Sequence, residues 1–309
     1  MDIAVLGAGA MGSVYGAFLA SQPENNVTLI DIWREHIEAI NAKGLTINTP
    51  EGDMVVKNLT AVTSALDLKP QDLVIIFVKA TVTEEAMRQA ANLVGPSTIA
   101  LTLQNGLGNI EKLCRVVDPK RVVGGINSYG SSMKGPGEVI LRGRGETVFG
   151  EIDGSQSERL SNLKKVFDKA GLPSSVTTNV QGRIWTKLIS NIAINAPCAI
   201  LGIKNGRLLE HPESVTLLEG AVTEAVAVGK AMGIIFETDD PIQYAKKVID
   251  NTGENVCSML QDIRAKRQTE IAVINGAIVE GGFKHGIPTP INMVLTNLVK
   301  VIQENYPAK

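Results

Sequence analysis

The chain opens with short, nearly unbroken apolar runs at Asp2–Leu6, Asn26–Asp31, Leu73–Phe77 and Thr98–Leu103, followed by a weaker one at Arg121–Gly125. Runs of this length without polar alternation suit parallel strands covered on both faces. Between them, Ala10–Ser21, Arg34–Lys43, Val82–Leu93 and Ile110–Val116 read as helices. The alternation predicts an α/β fold built on a doubly wound sheet. From Ser128 to Gly150 the chain turns glycine-rich and extended, with Glu138–Leu141 and Thr147–Phe149 as added strands. Ser155–Ala170 then reads as a helix, stopped by Gly171 and Pro173. Beyond about Asn179 strand signals vanish. Arg183–Ala196, Pro212–Met232, Pro241–Ile249, a long Val256–Val279 segment and Pro290–Asn305 all read as helices. A boundary within Thr178–Gly182 divides the chain into an α/β domain, 1–179, and an all-helical domain, 180–309.

A length of 309 residues suits two domains. The formal net charge of −2, with no basic run beyond the Arg142–Arg144 neighbourhood, argues against a nucleic-acid partner. Cys114, Cys198 and Cys257 lack metal-ligand spacing, so no metal is expected and the thiols read as reduced packing residues. The apolar run at Ile3–Leu6 has no basic segment before it, and no uninterrupted apolar run approaches a bilayer's thickness. The expectation is a cytoplasmic protein that needs no membrane. Its long apolar helices are compatible with packing within one chain or across a homodimer.

Chemistry enters at Gly7-Ala8-Gly9-Ala10-Met11-Gly12, which fits G-x-G-x-x-G between a strand and a helix. Gly7 permits the tight turn, Gly9 lets a pyrophosphate approach the backbone, and Gly12 lets helix and strand pack closely. The amides that open the helix, at Ala10, Met11 and Gly12, present donors and a positive dipole end to phosphate. Such a hexapeptide alone is weak evidence, but its placement points to a Rossmann-type domain. Asp31 ends the second strand where a carboxylate would accept from a ribose 2′-hydroxyl and repel a 2′-phosphate, favouring NAD over NADP. The lesser alternative is a solvated strand end or a helix cap, and Arg34 nearby would accept a phosphate. Lys79, in Val78-Lys79-Ala80, and Asn105, in Gln104-Asn105-Gly106-Leu107-Gly108, lie beyond carboxyl ends of strands, where open sheets bind ligands. Asn105-Gly106 is also an ordinary turn pair.

In the helical half, Lys187, Asn191 and Asn195 recur at four-residue steps on an otherwise apolar helix. Asparagine is a poor helix former. The stripe is either a solvated face or the polar wall of a ligand site, since buried polar groups need partners. A lysine there would polarise a carbonyl and protonate it as hydride arrives, the more readily if burial lowers its pKa. Downstream, Ser258 and Glu270 lie twelve residues apart, over three turns if helical and off any one narrow face.

Taken together, these segments resemble the ketopantoate reductase family over nearly the whole chain. The resemblance rests on Gly7–Gly12, Val78–Ala80, Gln104–Gly108, Trp185-Thr186-Lys187-Leu188 with Asn191 and Asn195, Ser258–Asp262, Thr269-Glu270-Ile271 and Ile274-Asn275-Gly276. It implies a Rossmann domain joined to a helical domain like that of 6-phosphogluconate dehydrogenase, and reduction of 2-dehydropantoate to (R)-pantoate in pantothenate biosynthesis. By motif match, Lys187 would be the general acid, Glu270 would bind a substrate hydroxyl, and Asn105, Asn191, Asn195 and Ser258 would hold substrate polar groups. Lys79 and Asn105 would also face the cofactor. The family implies NADPH, whereas Asp31 followed by Ile32 argues that NADH is used instead or as well. Other readings are a paralogue reducing another 2-oxo acid, a hydroxyacid dehydrogenase using a histidine base, or a dinucleotide sensor without catalysis. The sensor has no need of the Lys187 stripe, and His36, His211 and His285 all read as structural.

Overall fold

The computed structural model describes residues 1–306. Contacts group the chain into two units: Met1–Gln104 with Asn109–Val180, and Gln181 onward with the tetrapeptide Asn105–Gly108.

The first unit comprises β1 (Asp2–Leu6), α1 (Ala10–Ala20), β2 (Asn26–Ile30), α2 (Arg34–Lys43), β3 (Leu45–Thr49), β4 (Gly52–Val56), β5 (Thr60–Val62), β6 (Gln71–Ile76), α3 (Thr83–Gln89), β7 (Val94–Thr102), α4 (Asn109–Cys114), β8 (Val122–Asn127), β9 (Gly130–Gly135), β10 (Glu138–Gly143), β11 (Thr147–Glu151), α5 (Glu158–Lys169) and β12 (Ser174–Val176). Its main sheet has eight strands in the order β12-β11-β8-β7-β6-β1-β2-β5. From β5 to β8 all pairings are parallel, and β11 closes antiparallel on β8. The order reverses at β1, which pairs with β2 on one side and β6 on the other. That is the switch point where doubly wound sheets bind ligands.

The apolar strand runs are buried as their pattern requires: Ile3, Ala4 and Val5 of β1 and Leu73–Ile76 of β6 are inaccessible to solvent. A second sheet, β4-β3-β10-β9, covers α1. The β3–β4 hairpin went unrecognised in the sequence although Leu45/Ile47 and Met54/Val56 alternate around Pro50-Glu51-Gly52. Strands β5, β9 and β12 were also not anticipated. β9, Gly-Ser-Ser-Met-Lys-Gly, has poor strand propensity and is held by its pairing with β10. The helix expected at Val82–Leu93 is shorter, with single 3-10 turns on either side of α3.

The second unit is helical: α6 (Val180–Leu201), α7 (Pro212–Ala231), α8 (Pro241–Asn251), α9 (Ser258–Arg264), α10 (Asn275–His285) and α11 (Pro290–Glu304). Helix α6 runs five residues past Ala196 with Pro197 inside it, so the proline removes one backbone donor without ending the helix. It is long and apolar enough to cross a bilayer by composition, but 72% of its most apolar window is buried in the fold, as for a core helix. The Glu224 carboxylate of α7 accepts from the amides of Ile291 and Asn292 at 2.8 and 2.9 Å, capping the start of α11.

The segment expected as one helix over Val256–Val279 is broken. α9 ends at Arg264, Lys266 takes a left-handed φ of 52°, and a 3-10 turn at Ile271–Val273 precedes α10. Residues 264–268 are all exposed, leaving no apolar face to carry a helix across. Arg267 folds back on Asp262, its Nε donating to Oδ1 at 3.0 Å.

Candidate active site

At the end of β1 the chain leaves the sheet through Gly7, with φ +99° and its amide donating to Ile30 at 2.8 Å. A Cβ there would sit 2.5 Å from the Val78 amide nitrogen, and one on Gly12 would sit 1.9 Å from the Gly7 carbonyl oxygen. Only glycine lets α1 start so close to β1 and β6. Gly9 differs, for no protein atom lies within 4 Å of the place its Cβ would occupy. Gly9 caps α1, whose first turn holds no acidic residue, so the amides of Ala10, Met11 and Gly12 present uncompensated donors. A backbone cradle open at the middle glycine and a bare helix N-terminus fit a dinucleotide pyrophosphate.

Asp31 follows β2 beside this turn, its Oδ1 accepting from the Trp33 amide at 3.0 Å, so the capping role is also real. Arg34 opens α2 and is exposed. Exposed Lys79 directly follows Val78. The turn between them and β6 is pinned by Gln104, whose Nε2 donates to Val78 O at 2.6 Å and Thr83 Oγ1 at 2.8 Å.

In the helical unit three side chains converge from distant positions. Lys187 Nζ donates to Asn105 Oδ1 at 2.9 Å, and Asn105 Nδ2 donates to Glu270 Oε2 at 3.4 Å. Gly106, with φ +81°, makes this possible: a Cβ would meet Val273 at 2.6 Å, and the Leu107 amide donates to Val273 O at 2.9 Å. The tetrapeptide therefore docks on the 3-10 turn that begins after Glu270. Thr269 sets that turn, its amide donating to Gln303 Oε1 at 2.6 Å and its hydroxyl accepting from Ile271.

Desolvation pulls the Lys187 ammonium down to about 8, against the opposing pull of the Glu270 carboxylate. Such a group is charged at neutral pH yet gives up its proton readily. On the same helix face, Asn191 is half-buried and Asn195 is 5% exposed, and among the described residues neither side-chain amide has a hydrogen-bond partner in the protein. A polar ligand would supply those bonds. The neighbours Trp185 and Thr186 anchor the helix, Trp185 edge-on to Phe236 at 6.1 Å and Thr186 Oγ1 accepting from the Glu237 amide at 2.8 Å.

Ser258 opens α9 and is exposed, so the structure does not gather it into the Lys187–Asn105–Glu270 cluster. Asn275 is buried and bonds Asn292 at 3.0 Å, joining α10 to α11. Asp262, Thr269 and Gln104 are supports that sequence reasoning passed over. Polar residues beside a candidate ligand were the available signal.

The model described as ketopantoate reductase PanE/ApbA matches residues 3–154, and that of the ketopantoate reductase PanE/ApbA C terminal matches 179–303. The chain belongs to the ketopantoate reductase family. It is an NAD(P)H-dependent oxidoreductase. It is 40% identical over 301 residues to a 2-dehydropantoate 2-reductase of Pyrococcus horikoshii, covering 97% of each chain. Among solved structures, a D-mandelate dehydrogenase with NADH and anilino(oxo)acetate aligns at TM-score 0.94 and 30% identity, covering 100% of both chains. A PanE/ApbA family ketopantoate reductase from Ralstonia eutropha aligns at TM-score 0.90 and 33% identity, over 98% of this chain and 99% of that one. The Rossmann-like sheet with a helical C-terminal domain is thus the family architecture.

Proposed function

We propose that this protein reduces the C2 carbonyl of 2-dehydropantoate to (R)-pantoate, with NADH as reductant, on the route to pantothenate and coenzyme A. The observation that carries this reading is the desolvated Lys187 ammonium held on Asn105 and backed by Glu270. The bound nicotinamide would supply hydride to C2. Lys187 gives one proton to the carbonyl oxygen, which becomes the new hydroxyl, and is left as a neutral amine. Before transfer its positive charge stabilises the developing alkoxide in a site shielded from water. Asn105 keeps the amine directed by accepting one of its protons. Glu270 accepts from the substrate's own hydroxyl, and the Asn191 and Asn195 amides with Ser258 hold its carboxylate.

The cofactor cradle is the backbone of Gly7, Gly9, Ala10, Met11 and Gly12, and by family resemblance Lys79 and Asn105 also contact the cofactor. Asp31 favours NADH. The Trp33 amide fixes one carboxylate oxygen, and the other suits a ribose hydroxyl while repelling a 2′-phosphate. The NADH-bound D-mandelate dehydrogenase supports that preference and also a second reading, a reductase for a different 2-oxo acid.

The test is to mix purified protein with NADH or NADPH and either 2-dehydropantoate or phenylglyoxylate and follow cofactor absorbance. Fast oxidation of NADH by 2-dehydropantoate alone supports the first reading. Turnover of phenylglyoxylate alone replaces it with the second, and cofactor binding without turnover of either would reduce the protein to a sensor.

A further inference from the structure

We propose that His36 is a positioning residue for the dinucleotide turn, acting on it through Ser13. The inference rests on the nicotinamide dinucleotide reading of that turn. His36 lies in the first turn of α2, and its side chain is inaccessible to solvent, as is that of Ser13. Its Nδ1 accepts from the Gly137 amide at 2.9 Å, which fixes the ring proton on Nε2. Nε2 faces Ser13 Oγ at 3.2 Å, and Ser13 Oγ donates to the carbonyl oxygen of Ala8 at 2.8 Å. The Trp33 indole stacks on the imidazole, with ring centroids 5.1 Å apart and planes 13° from parallel.

Ala8 lies between Gly7 and Gly9, and its carbonyl shares a peptide plane with the Gly9 N–H. In a trans peptide these two groups point in opposite directions. Anchoring the carbonyl inward on Ser13 therefore aims the Gly9 N–H outward, on the residue whose surroundings are open. That N–H is the donor a pyrophosphate needs at the middle of the cradle. A lone serine hydroxyl would rotate between acceptors. Donation from His36 fills a lone pair of Oγ and commits its hydrogen to Ala8.

The device works only with neutral imidazole. A second ring proton would go on Nδ1 and confront the Gly137 N–H, two donors facing each other. Burial already holds His36 below its ordinary value, opposed by the Asp31 carboxylate and the Ala8 carbonyl. Among the elements around it, α1 offers the uncharged Ser13. The β9–β10 hairpin carries Lys134 and Glu138, which pair with one another at 3.0 Å, and on α2 itself Arg34, Glu35 and Glu38 are exposed. The end of β2 supplies Asp31. Cofactor affinity should thus be constant from about pH 7.5 upward, where even an ordinary imidazole is mostly neutral, and fall as pH drops below about 6.5 through the depressed value of His36.

The experiment measures NADH affinity by quenching of intrinsic fluorescence and, independently, by calorimetry, between about pH 7.5 and about pH 5. Melting temperatures are recorded alongside. S13A and H36F should each weaken binding at the higher pH by roughly tenfold, the scale of one lost buried hydrogen bond, and the double variant should be no worse than the weaker single. H36Q, which offers Ser13 an amide donor that does not titrate, should stay within about threefold of wild type and lose the acid-side decline. S13A carries the test if H36F does not fold. Wild-type affinity for S13A, multiplicative losses in the double variant, or an acid-side decline that persists in H36Q would each overturn the assignment. Wild-type protein that binds neither NADH nor NADPH would instead overturn the dinucleotide reading itself.

Discussion

Around Gly7–Gly12 the proposed ligand contacts are backbone amides of one hexapeptide. Around Lys187 they are side chains, brought together across 82 positions to Asn105 and from there across 165 to Glu270. The first arrangement is written in consecutive letters, because steric demands fall on particular glycines. The second exists only when helix α6, the docked tetrapeptide and the turn before α10 are all in place. A backbone cradle should tolerate most changes except added volume. A side-chain cluster should tolerate volume but not loss of a functional group.

The comparison is broken most forcefully at Lys187. Lys187→Ala should lower the turnover number by about 10³-fold, the range for a general acid, while NADH affinity stays within about twofold. Loss of cofactor affinity alone would deny the division of labour. Next come the glycines, which separate steric from ligand roles within one loop. Gly12→Ala drives a Cβ into the Gly7 carbonyl at 1.9 Å and should destabilise the fold by about 3 kcal/mol, read as a drop in melting temperature. Gly9→Ala meets no protein atom within 4 Å, so melting should be unchanged while NADH affinity falls about tenfold. Equal melting losses at both positions would contradict the assignment.

Gly106→Ala extends the contrast into the other unit, since its Cβ collides with Val273 and the residue's φ is +81°. It should displace Asn105 and cost about tenfold in turnover with little change in cofactor affinity. The smallest effect is expected at Asp31. Asp31→Ala should shift the ratio of NADPH to NADH affinity by about tenfold or less, because the carboxylate is partly solvated and one of its oxygens is already engaged by the Trp33 amide. An unchanged ratio would sink the electrostatic argument.

How legible each region was follows from the same contrast. The main parallel strands stood out as apolar runs, and α1, α2 and α7 were placed within a residue or so because their ends carry plain signals. The β3–β4 hairpin and β9 depend on pairing across the chain, which a single polar-rich strand does not advertise. The Lys187–Asn191–Asn195 stripe was visible from spacing alone. Glu270 was not, because Arg264–Gln268 contains no glycine or proline to mark the break between two apolar stretches, and only that break turns Glu270 back toward Asn105. Ser258 was linked to the site by motif, and its exposed place on α9 gives it less geometric support than the others.

The most direct test of the claim that Lys187 is the proton donor is the pH dependence of the reduction step, followed in a single turnover with saturating NADH and 2-oxo acid. Burial sets the ammonium near a pKa of about 8. The protonated form is the active one in this direction, so the rate should be level around neutrality and fall about tenfold per pH unit above that value. A rate that stays level to about pH 10, the range of an ordinary lysine, would contradict the account.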